Sequence, residues 1–273
     1  LKPYSKALYH NEQLKSLSRY RFSKVRERAK LKQQLARLVN ILFPELEKLV
    51  PTLHISSVYA LLEQFPGASF VANAHLTKLT NLLTTASKGH YKKEKAIQIR
   101  VLAASSVGCF MPAKSLELKH TITLIRVLSN EIAEIESEIK KLMDESHSPI
   151  TSIPGMSYRM AAMILSEIGD FSNFDSPDKI LAFAGLSPST YQSGKLDNAY
   201  SHMEKRGSRY LRYALYTATS YVCVWDKSFA VYLHKKISEG KHYYVAISHA
   251  IKKLVRLIYA LQTSGQQYIP AVA

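Results

Sequence analysis

A polar loop in the C-terminal half of the chain carries the residue types best suited to covalent chemistry. The loop runs from Gly185 to Lys195 and places Ser193 directly before Gly194. A neighbouring glycine lets a hydroxyl group approach a substrate closely. Serine can attack a phosphodiester to form a covalent phosphoserine. The loop therefore predicts a nucleophilic serine acting on a phosphodiester.

Cations follow this loop, close to the start of the next helix. The transition state of such an attack gathers negative charge, which guanidinium groups and a helix N-terminus stabilise. The expected nucleic-acid contacts here are Gly194, Lys205, Arg206, Arg209 and Arg212. Spacing alone leaves alternatives open, because many serine–glycine loops are only flexible. Tyr191 and Tyr200 are rival nucleophiles, and His202 is either a proton donor to a leaving oxygen or a surface side chain.

A second expected contact with nucleic acid is the turn Ile153-Pro154-Gly155-Met156, which precedes an apolar helix. Such a turn is typical of a helix-hairpin-helix unit, in which exposed backbone N–H groups bind phosphate. Pro154 and Gly155 are the candidate contact residues. The alternative is an ordinary tight turn, since proline and glycine form turns in many settings.

Long helices are expected to precede this compact region. Leucines at helical spacing predict one helix over residues 12–50, kinked or ended at Pro44, with many basic residues between the leucines. These cations either follow phosphates or form a solvated face. Shorter helices are predicted over residues 56–64, 74–85 and 93–107.

Residues 114–145 show the clearest periodicity in the chain. Apolar residues recur at alternating spacings of three and four, as in the a/d seam of a coiled coil; they are Ile125, Leu128, Ile132, Ile135, Ile139 and Leu142. The partner helix is either residues 12–50 of the same chain or a second copy in a homo-oligomer.

The composition favours a nucleic-acid partner. The 273 residues include 37 Lys and Arg against 21 Asp and Glu, a net charge of +16. The sequence contains no run of 18 apolar residues, so it predicts no membrane-spanning helix. The only cysteines, Cys109 and Cys223, are isolated, which favours a reducing compartment. The ten histidines have no metal-ligand spacing, so we expect no metal site and no cofactor in these residues.

An ordered set of motifs resembles the C-terminal domain of the IS110 family of bacterial transposases. The motifs are Ile153-Pro-Gly-Met156, Ile164-Leu-Ser-Glu-Ile-Gly-Asp170, Ala182-Phe-Ala-Gly-Leu-Ser-Pro188, Gln192-Ser-Gly194 and Lys205-Arg-Gly-Ser-Arg-Tyr-Leu-Arg212. Arg19-Tyr-Arg21 and Phe43-Pro-Glu45 are similar to the linker of that family, and Val245 to Leu261 is similar to its closing helix.

The resemblance implies a serine nucleophile at the position of Ser193. It also implies a structured guide RNA, DNA as substrate, assembly of several copies and a bacterial cytoplasmic location. The family's N-terminal RuvC-like domain, which binds magnesium through acidic residues, has no match in this sequence. Because the sequence begins at Leu1, we expect the chain to be a fragment of a longer transposase.

The expected fold is mainly α-helical, with a helical linker and coiled-coil arm over residues 1–147 and a compact transposase domain over 148–273. The leading hypothesis is a DNA recombinase with a serine nucleophile. The alternatives are a non-catalytic DNA- or RNA-binding module and a scaffold that dimerises through residues 114–145.

Overall fold

The computed structural model describes residues 6–187, 192–193, 196–197 and 203–270. The fold is mainly α-helical, as predicted. Twelve α-helices lie in these ranges, and the first seven are α1 (Lys6–Leu42), α2 (Leu46–Leu49), α3 (Ser56–Gln64), α4 (Ala68–Ala72), α5 (Leu76–Ala86), α6 (Lys93–Ala104) and α7 (Pro112–Ser146). The remaining five are α8 (Tyr158–Ile168), α9 (Pro177–Phe183), α10 (Arg209–Trp225), α11 (Lys227–Ser238) and α12 (Tyr243–Ser264).

Short elements complete the described structure. Two 3-10 helices cover Pro149–Ser152 and Phe171–Asn173. Two antiparallel strands, β1 (Gln192–Ser193) and β2 (Leu196–Asp197), pair Ser193 with Leu196.

Helix ends follow the sequence closely where proline or glycine sets them. The long first helix ends at Leu42, because Pro44 disfavours helical backbone in the residue before it. Helix α3 covers the predicted residues, whereas α4 was not predicted because Pro66 and Gly67 indicated only a break. Helix α8 ends at Ile168, and Gly169 follows with a φ of 75°.

The chain divides into two compact units, one of residues 1–22 and 134–273 and the other of residues 23–133. Both boundaries fall inside helices, in α1 and α7, and not at the predicted boundary between residues 147 and 148. The reason is that Leu14 of α1 and Ile135, Ile139 and Met143 of α7 share a core with α8, α10 and α12.

Within each unit, side chains of α1 and α7 pair in antiparallel order. Arg21 donates from Nε to Glu136 at 2.7 Å in the first unit. In the second unit, Lys24 pairs with Glu131 at 2.7 Å and Gln34 donates to Glu117 at 2.9 Å. Carboxylates of α7 therefore neutralise some of the basic side chains of α1.

The predicted seam of α7 is buried within the chain. Ile125, Ile132, Ile135 and Ile139 are 1%, 4%, 7% and 0% exposed. Of the two partners that the heptad pattern allowed, the structure supports the intramolecular one. These four side chains are covered within the chain, whereas Leu142 at the end of the seam is only partly buried. The four isoleucines therefore give no support to dimerisation through the seam.

Two findings concern the expectations about a membrane span and about the cysteines. No helix among the described residues is long and apolar enough to span a membrane. Cys109 and Cys223 are both free thiols, and burial raises the pKa of Cys223 to about 11.

Truncation of the α7 seam tests this packing. Ile139→Ala removes a fully buried side chain, and we expect the free energy of unfolding to fall by about 2–5 kcal/mol. Urea denaturation followed by circular dichroism measures the change. The adjacent exposed Lys140→Ala is the control and should cost less than about 0.5 kcal/mol. A loss that disappears as the protein is diluted would contradict intramolecular packing and indicate a seam between copies.

Candidate functional site

Main-chain hydrogen bonds join the two backbone segments that flank the loop carrying Ser193, and we call these paired segments the loop base. Glu204 N donates to Ser187 O at 3.1 Å, Lys205 N to Gly185 O at 3.1 Å, and Ser208 N to Phe183 O at 3.2 Å. The first segment, residues 183–187, begins at the last residue of α9, and the second, residues 204–208, leads into α10. The loop between them is therefore closed at its base by main-chain hydrogen bonds.

Two glycines make this close approach possible. Gly185 and Gly207 have φ angles of 68° and 115°, which residues with a Cβ adopt only under strain. A Cβ at Gly185 would overlap the carbonyl oxygen of Arg206, and one at Gly207 would overlap that of Phe183. Glycine is required at both positions by backbone packing.

Arg212 lies at this base and is half-buried. Its guanidinium donates to Ala184 O at 2.8 Å and to Lys205 O at 3.2 Å. These bonds join the C-terminal end of α9 to the segment before α10, so Arg212 helps to position the loop base. The nucleic-acid contact that the sequence predicts for Arg212 stays a prediction.

The other predicted cations face solvent. Lys205, Arg206 and Arg209 are all exposed. The Arg206 side chain is 88% exposed, and a carboxylate oxygen of Glu204 lies 3.9 Å from its guanidinium. Arg209 lies over the ring of Tyr210 at 4.8 Å. These three cations are available to a phosphate at the N-terminal end of α10.

The predicted nucleophile, Ser193, lies on β1 opposite Leu196. Tyr191, Gly194, Tyr200 and His202 lie outside the described residues.

The predicted helix-hairpin-helix turn packs against the interior. It joins the 3-10 helix Pro149–Ser152 to α8, and Gly155 has a φ of 83°. A Cβ at Gly155 would lie 2.7 Å from Tyr221 O and 3.0 Å from Val222 Cα, both on α10. One function of this glycine is thus to let α10 approach the turn. Phosphate binding by Pro154 and Gly155 stays a prediction.

A buried carboxylate that the sequence analysis did not single out organises the region. Glu167 is 3% exposed and accepts two hydrogen bonds from Arg19, at 2.6 Å from Nε and 3.0 Å from a terminal nitrogen. Ser208 donates a third from Oγ at 2.6 Å. The only signal in the sequence was a single acidic residue within the apolar run of α8.

The same network fixes the start of α10. Ser208 is the N-cap of the helix, and Leu211 N donates to its Oγ at 3.2 Å. The Tyr210 ring contacts both Arg19 and Arg209, each guanidinium lying 4.8 Å from the ring centroid. Phe22 packs edge-on to Tyr210 with the centroids 5.3 Å apart.

Opposing effects act on the Glu167 carboxyl group. Burial alone would raise its pKa, but hydrogen bonds from Arg19 and Ser208, together with the nearby charges of Arg19 and Lys15, leave the pKa below its usual value. Arg19 has a raised pKa, chiefly because of its hydrogen bonds to Glu167. The pair is therefore charged at neutral pH.

Comparison with known proteins places the loop and its base in a recognised domain. Residues 147–234 match the family model described as Transposase IS116/IS110/IS902 family. This region is therefore similar to the transposase domain of that family, and it holds β1, α8, α9 and α10.

Individual relatives extend the similarity. The chain is 22% identical over 94% of its length to a 44.8 kDa protein of insertion element IS116 from Streptomyces clavuligerus, covering 65% of that protein. It is 28% identical over 49% of its length to a 43.6 kDa protein of insertion element IS110 from Streptomyces coelicolor, covering 33% of it.

A differently named relative is a pilin gene-inverting protein of Moraxella bovis. Here the identity is 27% over 50% of the chain, which covers 45% of that protein. The chain thus spans less than two thirds of each of these relatives.

Substitution of the buried carboxylate should change how stability depends on pH. Because the pKa of Glu167 is lowered in the folded protein, its ionised form stabilises the fold above the unfolded value of about 4.3, and this contribution is lost as pH falls through the folded pKa. Glu167→Gln should cost about 2–3 kcal/mol at pH 7 by weakening charged hydrogen bonds. Chemical denaturation at pH 7, 5 and 3 should show this difference shrinking below about pH 4.

The exposed Glu134→Gln on α7 is the matched control and should leave stability nearly unchanged at each pH. A Glu167→Gln cost that stays constant from pH 7 to pH 3 would contradict an ionised, stabilising carboxylate.

Proposed function

We propose that this chain is the catalytic-serine part of an insertion-sequence transposase, in which Ser193 attacks a DNA phosphodiester. The observation that carries the proposal is the match of residues 147–234 to the transposase family model. That region includes the serine on β1 and, at its loop base, the exposed Lys205, Arg206 and Arg209.

The proposed step is a transesterification that needs no oxidant or external energy source. Ser193 Oγ forms a bond to phosphorus, the bond between phosphorus and one DNA oxygen breaks, and that oxygen leaves as a hydroxyl with the proton lost by serine. Attack by a DNA hydroxyl on the phosphoserine then forms the new strand and returns the serine.

The cations around the loop base suit the charge that develops in this step. Lys205, Arg206 and Arg209 lie before or within the first turn of α10, whose helix dipole adds positive potential. Arg212 and the Glu167 network hold this end of the helix in place. The exposed cations would contact phosphoryl oxygens or the flanking backbone.

Among the described residues no group of three His, Cys, Asp or Glu side chains is placed to hold a metal ion. The resemblance to the IS110 family implies magnesium in a separate RuvC-like domain, a guide RNA and several copies of the protein, and we extend the proposal to these partners.

The second candidate is a nucleic-acid-binding module without catalysis. The net charge of +16 and the three exposed cations at the loop base would suffice for it. A scaffold that dimerises through the α7 seam has less support, since the seam is buried within the chain.

Covalent trapping distinguishes these functions. Radiolabelled insertion-junction DNA and guide RNA are incubated with the chain, with and without the RuvC-like domain of a longer relative, and then run on a denaturing gel. We expect label to migrate with the protein and to vanish in Ser193→Ala, while non-covalent binding changes less than about twofold because serine carries no charge.

Tyr191→Phe and Tyr200→Phe are the matched controls and should retain the adduct. An adduct that survives Ser193→Ala but is lost in one tyrosine variant would overturn the serine assignment. Salt-dependent binding without any adduct, even with the additional domain, would favour the non-catalytic module.

A further inference from the structure

Helices α11 and α12 form a strongly basic part of the C-terminal unit, separate in sequence from the loop base. Between residues 227 and 256, one acidic residue, Glu239, accompanies seven basic ones, which are Lys227, Lys235, Lys236, Lys241, Lys252, Lys253 and Arg256. By contrast, several cations of α1 pair with buried or partly buried carboxylates.

The two helices enclose a cleft of about 300 Å³ lined by Tyr232 of α11 and by His249, Lys252, Lys253 and Arg256 of α12. The α12 residues follow the spacing i, i+3, i+4 and i+7 and so lie on one face of the helix. This face extends about 10 Å along the axis. Along the axis of duplex DNA each strand carries one charge per about 3.4 Å, so this face is long enough to lie beside more than one phosphate.

One cation of the cleft is held in a fixed position. Lys253 Nζ donates to Ser228 O at 3.1 Å and lies 4.5 Å from the ring centroid of Phe229 and 5.3 Å from that of Tyr232. A charge that is already ordered loses less conformational entropy when an anion binds.

Carboxylates compensate little of this charge. Glu239 contacts Lys236 at 2.9 Å and Lys241 at 3.8 Å. Arg256 lies 3.7 Å from Asp178, but both side chains are more than 60% exposed, and such pairs bind weakly. In the described part of the chain, no carboxylate lies within ion-pairing distance of Lys252 or Lys253.

The surroundings of His249 indicate the resulting positive potential. Burial lowers the pKa of His249, and the charges of Lys236, Lys241 and Lys252 lower it further, whereas Glu239 opposes them only in part. An anion in the cleft would relieve this repulsion.

We infer that the α11–α12 cleft is a second nucleic-acid contact, which binds backbone phosphates without reading sequence and is distinct from the cations around the serine loop. The identification of the partner as nucleic acid rests on the proposed function. The cleft would hold a segment of the same DNA away from the reacting phosphodiester, and binding of an RNA hairpin checks guide RNA as the other source of phosphate.

Salt-dependent binding of the full chain tests the inference. Binding of a 30-base-pair DNA duplex and of an RNA hairpin is measured by fluorescence anisotropy between about 50 and 200 mM salt, a range in which phosphate contacts dominate the change in affinity. In Lys252→Gln/Arg256→Gln we expect about tenfold weaker binding at 0.1 M salt and a salt slope lower by about two for duplex DNA. Lys253 is left intact because it packs against Phe229.

Two control variants make the outcomes distinguishable. Lys119→Gln/Lys140→Gln removes the same charge from exposed positions of α7 that do not line the cleft, and it should retain affinity within about twofold, since salt screens the effect of net charge alone. Lys205→Gln/Arg209→Gln alters the loop base. Weakening by the α12 pair alone or by both the α12 and loop-base pairs supports the inference.

Three results would overturn the inference. Unchanged binding in the α12 variant, with weakening in the loop-base variant, removes the second contact but leaves the proposed function intact. Equal weakening in the α12 and α7 variants indicates net charge alone. Absence of salt-dependent binding by the unaltered chain removes both the second contact and the proposed function.

Discussion

The carboxylate of Glu167 is buried on an apolar helix, and its charge must be compensated inside the protein. Arg19 provides two hydrogen bonds, and Ser208 provides a third. The hydroxyl of Ser208 also accepts from Leu211 N, so one serine satisfies the carboxylate and caps α10. The N-terminal end of α10 is thereby fixed to α8 and to the first part of α1. The loop base and its exposed cations depend on this connection.

Arginines of this region divide into two groups by their surroundings. Arg19 and Arg212 direct their guanidinium groups to a buried carboxylate and to main-chain carbonyls. Arg206 and Arg209 extend into solvent beside the same helix end. The first group fixes the geometry, and the second leaves positive charge accessible. A net charge alone cannot separate these functions, because it counts both groups equally.

The sequence predicted those features that depend on local pattern. The heptads of α7, the end of α1 before Pro44 and the bounds of α3 follow from spacing and from proline geometry. Features that depend on residues far apart in the sequence could not be predicted from local pattern. The turn at Gly155 predicts phosphate binding, but its close approach to Tyr221 arises from tertiary packing, which no local pattern indicates. Glu167 and Arg19 lie 148 residues apart, so no local spacing could join them.

Helix α10 departs from the usual charge preference at its N-terminal end. Acidic residues favour the first turn because they complement the helix dipole, yet α10 has none there and begins with Arg209, followed by Arg212. Each misplaced cation at an exposed helix end costs about 0.3–1 kcal/mol. Helix α11 differs, because the buried carboxylate of Asp226 caps its N-terminal end and accepts from Phe229 N at 3.0 Å. Local rules are commonly broken where function requires it. Under the proposed function, a phosphate at the N-terminal end of α10 would supply the negative charge that this helix lacks, so the cations that cost stability in the free protein would favour nucleic-acid binding.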